Sequence, residues 1–351
     1  QVMGAKAGRD DSYGTTIHEK YYRLFAANNT VIVNGASRGE GGWKSLGIET
    51  VDSVSMEPQP LAPAVSSNLS FTCSSFDDNR GNLAEATQQR TLALIRTSDT
   101  TGFYLDLIRS SSNVTNRTAT TLNGNVTDQY HDYIYRNIGD LVMTLEANGS
   151  PLSLTNQTNR FQNDIGDTWD QPGWRYFSNT QVSYPQQVDL FAQFKATPSG
   201  QSSIYMDLHM PSIASREVAK TDSPAIKYAP DPYDDQDSPT LVIRQIGEAW
   251  DEPFLSVFEP HFGVSGGTIQ STTALWRSGT VVGVKVESII GGSPVTHYVF
   301  SNPFDDQSYT DGSIGLSFQG RFGIVADFGS GDYELYIGDG RSLAYKGYSI
   351  T

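Results

Sequence analysis

The residues with the clearest chemical potential lie in DQYHDYIYRNIGD (128–140), where His131, Asp132, Tyr133, Tyr135 and Arg136 crowd into six positions. Strand alternation predicts His131, Tyr133 and Tyr135 on one face, with Asp132 and Arg136 on the other. An imidazole beside phenols is what proton abstraction and leaving-group protonation require, and a guanidinium can hold a carboxylate by a bidentate contact. The same pattern also describes an aromatic sandwich face that carries one hydrogen-bonded histidine. A second group surrounds His18 in RDDSYGTTIHEKYYRLFAANNTVIVNG (9–35), with Asp10, Asp11 and Glu19 as acids and Tyr13, Tyr21 and Tyr22 as aromatics. Neutral imidazole and carboxylate suit a divalent metal such as zinc, although two ligands do not complete a site. A third lies in PTLVIRQIGEAWDEPFLSVFEPH (239–261), where Arg244, Glu248 and Glu259 can form ion pairs that tie strands together. Trp43, Trp169, Trp174, Trp250 and Trp276 can stack on sugar rings or anchor core and loops.

The elements that must position these residues read as strands. Apolar segments are short, rich in Val, Ile, Tyr and Phe, and bounded by Gly, Asn, Asp or Pro, as in RTLALIRT (90–97), GFYLDLIRS (102–110), IYMDLHM (204–210) and TVVGVKVESII (280–290). No apolar stripe at helical spacing runs beyond about two turns, so the chain is expected to be all-β with minor helices. Three stretches, 36–66, 110–130 and 211–238, carry Pro, Gly and polar clusters and are expected to be long surface connections. Composition changes after Pro260, which places a boundary near 262. A large antiparallel super-sandwich is expected over 1–262 and a smaller β-sandwich over 263–351.

The 351 residues contain 24 Lys and Arg against 39 Asp and Glu, a net charge of −15. With no basic block, that balance argues against nucleic acid or an anionic membrane surface as a partner. No run of about 18 apolar residues exists to span a bilayer as a helix. Cys73 stands alone, so intrachain disulfides and cysteine-rich zinc sites are excluded, and a buried strand thiol is expected. There is no P-loop, G-x-S-x-G or H-E-x-x-H. N-x-[ST] triplets begin at Asn28, Asn68, Asn113, Asn116, Asn125, Asn148 and Asn156, which are expected glycosylation acceptors if the protein is secreted from a suitable cell. The chain opens on Gln1 without a charged-then-apolar leader, and is expected to derive from something longer.

Taken in order, H-x-x-x-Y…NTVIVNG (18–35), the pair RTLALIRT…GFYLDLIRS (90–110), YHDYIYRNIGD (130–140) and PTLVIRQIGEAWDEPFLSVFEP (239–260) resemble the β-sandwich half of heparinase II/III-like polysaccharide lyases. The resemblance implies β-elimination on a uronate-containing acidic glycan, with the carboxylate neutralised, the C5 proton removed and the 4-oxygen protonated. It implies catalytic roles for His131, supported by Tyr133 and Tyr135, and substrate contacts from Arg136, Trp43 and Asn28. It also implies a structural zinc through His18, with companion ligands outside this chain. Two positions depart from the family pattern. The usual A-H-N-T is Ala27-Asn28-Asn29-Thr30, and H-D-Y-x-x-H ends in Arg136. The α/α-toroid that carries the family's principal catalytic residues has no counterpart in these strands. The expectation is therefore a secreted or cell-surface sandwich that is incomplete as an enzyme alone, partnered by an acidic polysaccharide and by a toroid-bearing fragment or another copy of itself. The competing expectation is a noncatalytic glycan-binding or self-assembling surface glycoprotein on the same scaffold.

Overall fold

The computed structural model describes residues 10, 12–33, 51–78, 86–112, 119–121, 124–126, 130–161 and 173–351. It is all-β, 59% strand and 5% helix. A six-stranded antiparallel sheet runs in the order Val31–Val33, Tyr130–Arg136, Ser238–Ile246, Arg216–Ser223, Ser178–Val182, Thr155–Asn156. A nine-stranded sheet runs Ser150–Pro151, Leu141–Ala147, Leu190–Ala196, Ile204–Met210, Ala249–Phe262, Gly102–Ser112, Ala86–Arg96, Leu69–Asp78, Val51–Glu57. The chain leaves this sheet at Phe262 and enters a seven-stranded sheet at Ile269.

The nine-stranded sheet is the middle layer because both its faces are apolar. One face contributes Ile108, Phe194, Leu208, Phe254 and Phe258 to a core shared with Tyr133, Tyr135, Leu241 and Ile243 of the six-stranded sheet. The alternate positions Leu105, Leu107, Leu255 and Val257 join Val281, Val284, Val286 and Phe322 of the seven-stranded sheet. A strand that is buried on both faces loses the simple polar-apolar alternation, which is why FLSVF (254–258) is a continuous apolar-and-small run. Arg109, fully buried, crosses between layers and donates to the carbonyls of Trp250, Val281 and Ser301 at 2.7, 2.6 and 2.8 Å. The outer face of the six-stranded sheet is covered by a π-helical turn, His18–Tyr22, and by Phe161, Trp174 and Phe177.

All three of the expected long connections contain strands. Val51–Glu57 is an edge strand whose first three residues are exposed, so VDSVSME lacks the apolar run that marks a strand. Arg216–Ser223 lies inside the six-stranded sheet, and its charged side chains Arg216, Glu217, Lys220 and Asp222 are accommodated by pairing or by the sheet margin. The third, 110–130, holds the tail of Gly102–Ser112 and a small hairpin, Ala119–Thr121 with Gly124–Val126. Cys73 is a buried strand thiol whose pKa is pushed up by desolvation.

Candidate functional site

Within Tyr130–Arg136 the alternation separates two chemistries. His131, Tyr133 and Tyr135 point into the inter-sheet core and are buried. His131 shares a hydrogen bond between Nδ1 and Ser110 Oγ at 2.9 Å, and its Nε2 lies 3.9 Å from Glu248 Oε2. Burial lowers its pKa to about 4, which keeps the ring neutral near pH 7. Tyr133 donates to Asp106 Oδ2 at 3.1 Å, and Asp106 also receives a bidentate contact from Arg90 at 2.8 Å on each oxygen. Tyr135 donates to Asn137 Oδ1 at 3.0 Å. The Tyr133 ring stacks on Phe254, and the Tyr135 ring tilts against Phe258. Desolvation raises both phenol pKa values, so both hydroxyls remain protonated and act as donors.

The opposite face presents Tyr130, Asp132, Ile134 and Arg136. Arg136 is fully buried, lies over the Tyr21 ring and donates to the carbonyl of Ala26. Its backbone N–H donates to Asn29 Oδ1 at 2.9 Å, while Asn29 Nδ2 donates back to the Arg136 carbonyl at 3.3 Å. These contacts hold the 18–30 segment to the sheet. Asn28 Nδ2 donates to the Leu24 carbonyl at 2.9 Å, a local cap. His18 is buried, edge-on to Tyr13, and its Nδ1 accepts from the Asp10 N–H at 3.4 Å. The carboxylate of Asp10 accepts from the Thr15 hydroxyl. The described residues near His18 thus supply one imidazole, and no trio of metal-ligating groups forms around it.

At one end of this outer face, side chains from three strands and a loop converge. Asp132, with no exposed surface, takes two hydrogen bonds from Arg244, Nε and Nη2 each at 2.7 Å, and the guanidinium lies 4.0 Å above the Tyr130 ring. The register Arg244↔Asp132 and Glu217↔Arg244 places all three side by side across the sheet. Arg160 comes from the loop after Thr155–Asn156 and pairs with Glu217. Desolvation raises the Glu217 pKa and lowers that of Arg160, each opposed by its partner. Two guanidiniums and an aromatic ring at a sheet margin can receive an acidic sugar, by charge and by ring stacking. Arg244 as a strand tie was legible from type and position. Arg160 and Glu217 were not, because they lie 57 residues apart in a loop and in a strand that reads as a connection.

A second polar group lies on the nine-stranded sheet. Asp207, His209, Glu259 and His261 come from Ile204–Met210 and Ala249–Phe262, and one ligand atom from each of the first three falls within 4.8 Å of the others. Its sequence signal is a pair of i, i+2 spacings, Asp-x-His in MDLHM and Glu-x-His in FEPHF, which strand alternation puts on one face.

Trp43, Trp169, Asn113 and Asn116 lie outside the described residues, and Asn125 sits in Gly124–Val126. Asn28 and Asn68 are half-buried, whereas Asn148 and Asn156 are exposed. Trp174 is buried with Phe161 and Phe177.

Comparison with known proteins shows what the chain is similar to. Residues 269–351 match the endo-acting ulvan lyase C-terminal domain. Over 340 residues, 95% of this chain, the sequence is 37% identical to an endo-acting ulvan lyase of Formosa agariphila. The chain resembles the C-terminal β-sandwich portion of a polysaccharide lyase. It spans 39% of the length of that lyase. Two solved structures of heparan sulfate lyase HepC from Pedobacter heparinus, one of them a mutant, also match. The mutant has a TM-score of 0.37 and 8% identity, with 95% of this chain and 34% of that chain covered. The other has a TM-score of 0.38 and 10% identity, with 83% and 33% covered. Among the described residues of this lyase-like sandwich, no helix is long and apolar enough to cross a membrane.

Proposed function

We propose that this chain is the β-sandwich part of a secreted polysaccharide lyase that cleaves a uronate-containing acidic glycan by β-elimination. The observation that carries this reading is the 37% identity, along 95% of the chain, to an endo-acting ulvan lyase. In the reaction a base removes the proton at C5, the C5–H electron pair forms the C4=C5 bond, and the C4–O bond breaks to the departing oxygen, which takes a proton. Neutralising the carboxylate at C6 makes the C5 proton acidic enough to remove.

In this reading the outer end of the six-stranded sheet meets the glycan. Arg244 and Arg160 attract the carboxylate, and the Tyr130 ring supports the Arg244 guanidinium from beneath. Asp132 holds the Arg244 fork in place. His131, Tyr133 and Tyr135 lie directly behind, enclosed by the core, and their hydrogen bonds to Ser110, Asp106 and Asn137 fix the strand that carries Tyr130 and Asp132. Arg136, tied to Ala26 and Asn29, positions the N-terminal segment. The proton-transfer groups come from a toroid-bearing partner segment, and His18 with ligands from that segment would hold any structural zinc.

The test is electrophoresis of the purified chain through gels containing ulvan or a neutral glucan, followed by incubation with ulvan and a toroid-bearing fragment of a homologous lyase. Retardation by ulvan alone, relieved by salt and by Arg244→Ala, and ultraviolet absorbance from unsaturated uronate in the mixture are expected. Equal mobility in both gels together with no absorbance would overturn the reading.

A further inference from the structure

Antiparallel pairing of Ile204–Met210 with Ala249–Phe262 sets Asp207 opposite Glu259, Tyr205 opposite His261 and His209 opposite Val257. Because Val257 faces the core shared with the seven-stranded sheet, so do Asp207, His209, Glu259 and His261. The carboxylates are only 6% and 3% exposed. Glu259 is held by the N–H and hydroxyl of Thr268 at 2.7 and 2.6 Å and by the Ile269 N–H at 3.0 Å, and Asp207 Oδ1 by Gln193 Nε2 at 2.9 Å. His261 Nδ1 is 2.9 Å from the Gly263 carbonyl, which leaves Nε2 directed at Asp207 Oδ2, 3.1 Å away. Glu259 Oε2 and both oxygens of Asp207, with one such contact each, retain a further lone-pair direction.

Three independent features mark this as a place for a cation. Two buried carboxylates, Asp207 and Glu259, face each other, and among the described residues neither forms an ion pair with a lysine or arginine. Buried carboxylates without a fixed positive charge are costly. The Nε2 atom of His209 is buried and has no hydrogen-bond partner among the described residues. Third, Gly267 sits over the group: a Cβ there would come 2.7 Å from Asp207 Oδ2, 3.1 Å from Glu259 Oε2 and 3.7 Å from His261 Nε2. A side chain at 267 would occupy the point at which these ligand atoms converge.

We propose that Asp207, His209, Glu259 and His261 form a divalent-metal site of the zinc class, which fastens two central strands of the nine-stranded sheet to the 263–268 crossing into the C-terminal sheet. Two imidazoles and two carboxylates are a donor set for zinc, cobalt or manganese and not for a large oxygen-only cation such as calcium. Asp207, His209 and Glu259 already bring ligand atoms within 4.8 Å of one another, and His261, against Asp207, closes the tetrahedral shell on loading, so the metal is structural and offers no open position for a substrate. With bonds of about 2.0–2.1 Å, tetrahedral ligand atoms stand roughly 3.4 Å apart. Loading therefore draws the ligand atoms inward from their present spread. Glu259, already bonded to Thr268 and Ile269, transmits that tightening to the crossing segment.

The experiment uses the whole chain, stripped with a chelator and titrated with Zn²⁺ and, separately, Co²⁺. Expected results are one equivalent of bound zinc, visible absorption from tetrahedral Co²⁺, and a melting temperature about 3 °C higher at 100-fold excess over Kd. His209→Gln and Gly267→Val should each lower zinc affinity at least about 10-fold, whereas His18→Gln should leave it unchanged. Where a variant fails to fold, the Co²⁺ spectrum of the unaltered chain still decides. Absence of bound metal and of stabilisation by zinc would overturn the site, as would zinc affinity in His209→Gln equal to that of the unaltered chain. Loss of binding in His18→Gln alone would also overturn it by moving the metal to the N-terminal segment.

Discussion

The six-stranded and nine-stranded sheets solve the same problem differently. At the end of the six-stranded sheet, Asp132 and Glu217 each meet a guanidinium, so charge is balanced inside the protein. On the nine-stranded sheet, Asp207 and Glu259 meet imidazoles, an amide and backbone N–H groups, which stabilise a carboxylate without cancelling two negative charges. A permanently charged partner makes a pair self-sufficient and suited to meeting an acidic ligand at the surface. A titratable partner leaves the group dependent on something from outside.

The contrast between imidazoles enclosed by the core and one hydrogen-bonded to a carboxylate predicts the largest effect. Burial lowers His131 and His297 to about 4, whereas the Asp207 side chain helps to raise His261. A histidine whose folded pKa lies below its unfolded value of about 6.5 takes up its proton more readily when unfolded. Its neutral form therefore supports the fold fully above pH 6.5, and that support is lost as the pH falls towards 4. Each residue should cost about 3 kcal/mol over that window. Urea midpoints from pH 7 to 4 should fall steeply, and His297→Leu should remove about half of the slope. A flat profile would show that these rings are not held neutral by the core.

Next in size is Asp132→Asn, which leaves Arg244 without its counter-charge and should lower stability by about 3 kcal/mol in urea unfolding. Asp207→Asn, measured without added metal, should cost only about 1 kcal/mol, because no guanidinium is orphaned. If the two substitutions cost the same, the distinction between self-sufficient and dependent carboxylates fails. Smallest is Glu217→Gln, at under about 1 kcal/mol, since both Glu217 and Arg160 keep partial contact with water. That variant should nevertheless strengthen retardation by ulvan, by freeing Arg160, and unchanged mobility would remove Arg160 from the glycan surface.

Much of this architecture is written in local runs of residues. Short Val-, Ile- and aromatic-rich runs between turn residues specify strands, and the alternation in YHDYIYR correctly divides His131, Tyr133 and Tyr135 from Asp132 and Arg136. Burial of Cys73 follows from its apolar strand. Illegible were Val51–Glu57, polar because one edge of it faces solvent, and Arg216–Ser223, whose charges look like those of a loop until neighbouring strands pair with them. The site was legible in part. Asp-x-His and Glu-x-His carry a visible two-residue period, but nothing local states that Asp207 lies opposite Glu259.

By itself the sequence determined the all-β class, the facing of side chains within each strand and the acidic, single-cysteine character, because these depend on residue type and on a period of two. Only the tertiary structure decided which strands became neighbours, and hence that Arg160 meets Glu217 and that two histidines join two carboxylates. Register and layer order arise from long-range packing of both faces of the middle sheet, which no local spacing encodes.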